Sequence, residues 1–180
     1  SEIKFNKDLC VACGNCVFYC PYGVAKLDSL GVANFNSAFC KGCGLCVVMC
    51  PAIALDLEDC ERDHISALIT RVSSATESSR VLVFRCQWAV FHSLNEELTP
   101  DVCYIDLPCA ARVDGFHILE ALQKGIAGVL VVACSEENCH RISGSREAQR
   151  LVSRLKERLS QVGFQDRLHF CTTSSSDHKE

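Results

Sequence analysis

Four cysteines fall within eleven residues in CVACGNCVFYCP, Cys10 to Pro21, and the pattern returns in CKGCGLCVVMCP, Cys40 to Pro51. Every cysteine, the glycine after the second (Gly14, Gly44) and the proline after the fourth (Pro21, Pro51) recur 30 residues later. Such a repeat predicts two copies of one short supersecondary unit that share a core. Three thiols within seven residues suit a polynuclear cluster better than zinc, which prefers pairs of thiols separated by a longer spacer. In a C-x2-C-x2-C-x3-C-P run, the first three thiols reach three irons of one cubane, and the fourth ligates the other cluster. The expected ligand sets are therefore crossed: Cys10, Cys13, Cys16 and Cys50 for one [4Fe-4S], and Cys40, Cys43, Cys46 and Cys20 for the other. Paired zinc sites are the alternative reading. Gly14 and Gly44 let the loop backbone approach the cluster, and Pro21 and Pro51 turn the chain out of the loop.

This spacing is the bacterial two-cluster ferredoxin signature, and it predicts an α+β ferredoxin-like domain over residues 1–58. VAKLD, ANFNSAF and AIALDLED are read as short strands around it. ERDHISALITRV is read as a helix with Ile65, Leu68, Ile69 and Val72 on one face. Residues 59–79 form this helix and a polar linker, SSATESS. Beyond it, VLVFRC, DVCYIDLPC, AGVLVVAC and RLHFCTT alternate with FHILEALQKG and SREAQRLVSRLKERLSQVG. Strands alternating with helices predict an α/β domain with a parallel sheet of about four strands over 80–173. The tail, 174–180, is expected to be disordered.

The chain carries 15 cysteines, an odd number in a metal-like spacing, beside a Val- and Leu-rich C-terminal half able to build its own core. That excludes a disulfide scaffold and favours a reducing, cytoplasmic setting. The formal charge of −4 offers no basic face to nucleic acid. Three oxidised clusters, each with four thiolates and about −2, would carry it to about −10. No apolar run reaches the ~18 residues of a membrane span, and no secretory signal opens the chain. A start at Ser1 rather than methionine is expected of a chain processed or cut from something longer.

Four further cysteines form a second set. Cys86, Cys109 and Cys134 end strand segments, and Cys139 lies five residues past the last. The C-termini of parallel strands share one edge, where ligands bind. The four thiols are thus expected to converge, holding [2Fe-2S], zinc or another cluster; four buried, inert cysteines are the alternative.

FRCQWAVF and LPCAARVDGFHILEALQKGIAGVLVVACSEENCH resemble the delta subunit of methyl-viologen-reducing hydrogenases over most of Val81 to Phe170. The resemblance implies one [2Fe-2S] cluster and electron passage between a hydrogenase and heterodisulfide reductase. The family's usual fifth cysteine, directly after Trp88, is Ala89 here, which leaves Cys86, Cys109, Cys134 and Cys139 as ligands. CPAIALDLEDCERDHISALITRV resembles the end of the C-terminal ferredoxin module of the flavoprotein (A-type) subunit of heterodisulfide reductase. Some relatives of that flavoprotein carry the delta-like domain behind it. No GxGxxG fingerprint is present, so the chain is read as such a tail without its flavin domain, or as a compact relative.

The expected function is a non-catalytic electron-transfer subunit or fragment. It would relay electrons between two [4Fe-4S] clusters and one [2Fe-2S] cluster in a hetero-oligomer, with a flavin-containing heterodisulfide reductase A-like subunit or a hydrogenase as partner, and without membrane insertion. A structural zinc or docking domain and a thiol/disulfide-active enzyme are the competing readings. Cys60 is expected to be a plain thiol, and Cys103 and Cys171 core residues. Trp88 either covers the cluster or packs in the core. His140 either serves a cluster or lies at the surface. Arg112 and Asp114 either orient the cluster loop or form a surface pair. Arg141, Arg146, Arg150 and Arg154 are read as a solvated helix face rather than a docking face.

Overall fold

A computed structural model describes residues 2–74, 80–89 and 101–173. Most of the linker and the whole tail expected at 174–180 lie outside these residues. The 30-residue repeat is visible throughout the first 57 positions. Strand β1 (Ile3–Phe5) returns as β3 (Ala33–Phe35), and β2 (Ala25–Leu27) returns as β4 (Leu55–Leu57). Asn6 accepts a hydrogen bond from the Asp8 amide at 3.1 Å, and its counterpart Asn36 accepts one from Ala38 at 3.3 Å; each starts a 3₁₀ turn. The segment 33–39, expected as one strand, therefore breaks after Phe35, because the Asn36 side chain offers the backbone a local turn. The one-turn helices α1 (Asn15–Phe18) and α2 (Leu45–Val48) follow Gly14 and Gly44.

The copies interlock through their strands. β1 pairs antiparallel with β4, Phe5 opposite Leu55, and β2 with β3, Ala25 opposite Phe35. Phe5 and Phe35 then meet edge to face, 5.2 Å between centroids, a favoured aromatic geometry.

Helix α3 (Arg62–Ser74) buries Ile65 and Ile69. It leads to a parallel sheet in the order β6-β5-β7-β8, comprising β5 (Val81–Cys86), β6 (Val102–Leu107), β7 (Gly128–Cys134) and β8 (Leu168–Thr173). Leu82, Phe84, Val129, Val131 and Ala133 are almost wholly buried, as befits the inner strands of a covered parallel sheet. Helix α4 (Gly115–Gln123) packs on β7 and α3, while α5 (Gly144–Ser160) packs on β7 and β8. Among the described residues no helix is long and apolar enough to cross a membrane.

Side chains from three segments tie the sheet to the cysteine repeat. Arg62 donates to the Val47 carbonyl at 2.6 Å and pairs with Asp114. Asp114 also caps α4, accepting from the Phe116 amide at 3.0 Å. Arg112 is wholly buried; it donates to the Cys60 carbonyl at 3.0 Å and to Asp56 at 3.2 Å. Arg112 and Asp114 therefore do not pair with each other. Each reaches a partner more than 50 residues earlier in the chain, at the seam between repeat and sheet.

Candidate metal centre

Cys10 and Cys13 of copy one lie on the loop ahead of α1, and Cys16 lies in its first turn. Cys10, Cys13, Cys16 and Cys50 line a single small pocket with apolar walls that include Phe5, Leu27 and Leu55. Cys50 belongs to the other copy, as the crossed arrangement requires. Burial pushes the Cys16 thiol up, and the nearby Cys13 and Cys10 add to this. In copy two, burial pushes Cys46 far up, followed by the charges of Cys43, Cys40 and Cys20. Cys43 is raised by burial, then by Cys20 and Cys40, against an opposing hydrogen bond from the Leu45 amide. The Gly42 amide donates to Cys40 Sγ at 3.4 Å. Cys50 of copy two thus lies with the thiols of the first loop, and Cys20 of copy one is an electrostatic neighbour of Cys43 and Cys46.

The third set gathers at the C-terminal edge of the parallel sheet. Cys86 and Cys134 end β5 and β7, with sulfurs 3.7 Å apart. Four thiolates held at ~2.3 Å around a tetrahedral metal would lie at a similar spacing. β6 stops at Leu107, and Cys109 instead caps the 3₁₀ turn Ala110–Arg112. Pro108, which has no amide hydrogen to give the ladder, separates them. Cys139 receives the Ser145 amide at 3.4 Å, from the first turn of α5. A methyl group on Gly144 would collide with Cys109 Sγ and come within 3.6 Å of Cys139 Sγ. Gly144 is therefore the point where the start of α5 reaches the thiols, a role that ISGS in the sequence did not advertise.

Hydrogen bonds from Cys109 and then Cys134 hold Cys86 well below the usual thiol range, with amides of Trp88 and Ala110 assisting. Cys109 and Cys134 are pushed up in return, chiefly by the same bonds to Cys86. Among the described residues no three His, Cys, Asp or Glu side chains close around one metal-ion position; the contacts here are pairwise. An all-thiol donor set, amides directed at sulfur and an apolar cavity are the features that hold iron–sulfur clusters. On that chemistry the residues fit.

Other expectations change. Trp88 is half-exposed, not core, and stacks on His140 at 4.5 Å with 11° between planes. The stack lies beside Cys86 and Cys139. Since Trp88 is the single tryptophan, its emission is expected to be strongly quenched when iron is loaded and to recover when the third site is emptied, as steady-state fluorescence will read. Cys171 is exposed and so not a core residue, whereas Cys103 is half-buried and packs against the core. Cys60 is buried and raised by that burial, with Arg112 opposing. Arg141 precedes α5 rather than lying on it. Arg150 pairs with the buried Glu147 at 2.8 Å, while Tyr19 and Met49 of the cysteine loops line a groove with Arg150 and Arg154.

Sheet, repeat and thiol geometry define a class: a ferredoxin-type iron–sulfur unit joined to a parallel α/β unit with a thiol-lined edge. The family model for a 4Fe-4S dicluster domain matches residues 2–51. That for the methyl-viologen-reducing hydrogenase delta subunit matches 81–180, and the chain belongs to this family. It is homologous to the C-terminal part of the A-type subunit of heterodisulfide reductases. It is 37% identical over 166 residues to the A-type subunit of the ferredoxin:CoB-CoM heterodisulfide reductase of Methanosarcina mazei, covering 87% of this chain and 21% of that protein. It is 34% identical over 164 residues to the A-type subunit of the ferredoxin/F(420)H(2)-dependent CoB-CoM heterodisulfide reductase of Methanosarcina acetivorans, again 87% and 21%. It is 30% identical over 91 residues to the D-type iron-sulfur subunit of the F420-non-reducing hydrogenase of Archaeoglobus profundus, 47% of this chain and 66% of that protein. The chain thus spans about a fifth of the length of its heterodisulfide reductase relatives.

Proposed function

We propose that this chain is an electron-transfer module of a hetero-oligomeric oxidoreductase related to heterodisulfide reductases and hydrogenases. In this reading, Cys10, Cys13, Cys16 and Cys50 hold one [4Fe-4S] cluster, and Cys40, Cys43, Cys46 and Cys20 hold the second. Cys86, Cys109, Cys134 and Cys139 hold a [2Fe-2S] cluster. The units are 1–58, a connector 59–79, 80–173 and a tail. The setting is cytoplasmic, and the partners are flavin-containing or hydrogenase subunits.

The carrying observation is the seam. Leu45, Cys109 and Ala111 form one buried cluster, and Tyr19, Cys43 and Met49 pack against it. Cys43, assigned here to the second thiol set, and Cys109, assigned to the third, thus pack into one cluster. One-electron storage is the chemistry that bound clusters supply. Packing across the seam brings the second and third sites together, and Cys86, Cys109 and Cys134 are buried. Cys86, Cys109 and Cys134 are each no more than 5% exposed, which disfavours a thiol enzyme acting on an external disulfide. A structural zinc ion in the third site draws support from the 3.7 Å sulfur pair.

Electron paramagnetic resonance of the dithionite-reduced protein tests this reading. Spin–spin interaction between the third centre and a cubane is expected, and it should vanish when the third site is emptied. A spectrum equal to the sum of isolated signals, or one lacking any third signal, would contradict it.

A further inference from the structure

The two cysteine loops are equivalent by sequence repeat, but it is the helix of the second, α2, that packs on the turn Ala110–Arg112. The copies also differ in sequence. The residue after the motif's proline is Tyr22 in copy one and Ala52 in copy two. Ala52 lines the first thiol cavity. The Tyr22 hydroxyl, two residues past Cys20, is buried, and the charged groups near it are Cys43, Arg141, Cys109 and Cys139. Those groups come from both the second and the third thiol sets.

The Tyr22 hydroxyl is buried without a hydrogen-bond partner among the described residues, and so is the Nε of Arg141. Arg141 lies two residues past Cys139. Its Cβ would be 3.5 Å from a methyl on Gly144, the same position that would collide with Cys109 Sγ. Two buried, unpaired donors thus have cysteine sulfurs among their neighbours. A buried donor left unpaired is costly, and neutral thiols are weak acceptors. Sulfurs made strongly negative by a bound cluster would satisfy both.

We propose that Tyr22 and Arg141 form a polar junction between the second cubane site and the third centre, directing donors at sulfur on either side and easing the reduction of both. This rests on the cluster assignment above. Hydrogen bonds to cluster sulfurs and nearby positive charge favour the more negative, reduced state. The first cubane, whose cavity lacks both residues, is outside their reach. Tyr22 and Arg141 are positioning residues that act through the sulfurs rather than on a substrate.

The test is a redox titration of anaerobically purified chain, followed by electron paramagnetic resonance, on Tyr22→Phe, Arg141→Gln and Arg141→Lys, with iron and sulfide measured for each. Tyr22→Phe and Arg141→Gln are expected to keep wild-type iron. Their reduced-to-oxidised ratio at the third centre should fall about tenfold at fixed potential, or ~59 mV for one electron. One of the two cubane steps should move with it while the other stays. Arg141→Lys should recover part of the shift. Unmoved potentials, an equal movement of all three centres, or loss of iron in both Tyr22→Phe and Arg141→Gln would overturn the junction. Wild-type protein without a third iron–sulfur signal would instead sink the cluster assignment beneath it.

Discussion

Cys134→Ser is expected to reduce the chain from about ten irons to about eight and to abolish the [2Fe-2S] signal, while both cubane signals persist. The separation follows from position. Cys134 ends β7, 3.7 Å from Cys86, and the cubane thiols all lie on the repeat. Serine keeps the volume, so the buried strand stays packed; what is lost is a soft ligand. The same change removes one of the two bonds that hold Cys86 low. Iron and sulfide analysis with low-temperature electron paramagnetic resonance will check it. Loss of all three signals together would mean that the third site supports the fold as a whole rather than forming a separable centre.

Gly44→Ala is expected to damage the seam far more than Gly14→Ala, although the two positions are equivalent in the repeat. Both have the left-handed backbone, φ +73 and +74, which costs an alanine about 1–2 kcal/mol. There the likeness ends. A methyl at Gly14 meets only Leu27 Cδ1 at 3.7 Å, an ordinary contact. At Gly44 it would overlap the Arg112 Cδ and lie 3.0 Å from its Cβ and 3.1 Å from its Cγ. Arg112 cannot swing away, because it is wholly buried and bonded to Asp56 and the Cys60 carbonyl. Overpacking of this kind adds roughly 1–3 kcal/mol. Cluster loss makes unfolding irreversible, so the readout is a rate: bleaching of the visible absorbance in guanidinium. Gly44→Ala should bleach several-fold faster than Gly14→Ala; equal rates would contradict the packing of Arg112 on the second loop.

The cysteine repeat was legible because its period is strict and its chemistry narrow. The grouping of Cys50 with the first loop and of Cys20 with the second follows from spacing alone. The parallel sheet was legible from apolar runs alternating with helical ones, and the nearness of Cys86 to Cys134 follows from where parallel strands end. Less visible was anything set by distant neighbours. β1 has three residues, too few for a period, and it exists because Leu55–Leu57 offers it a partner. Arg112 reads as orienting the cluster loop or pairing with Asp114 at the surface, until the fold brings Asp56 and the Cys60 carbonyl to it. Trp88 reads as core by composition, yet it stacks on His140 at the surface. The glycine at 144 carries no local mark of the two sulfurs beside it. Each of these contacts is set by the tertiary fold, and local pattern is silent about them.

The central claim is that twelve of the fifteen cysteines serve three centres, the third of them binuclear. Iron, acid-labile sulfide and zinc analysis of anaerobically purified chain tests it most directly. About ten irons, about ten sulfides and no zinc are the predicted result. About eight irons with one zinc would contradict it, leaving a ferredoxin-type unit joined to a zinc-stabilised α/β unit.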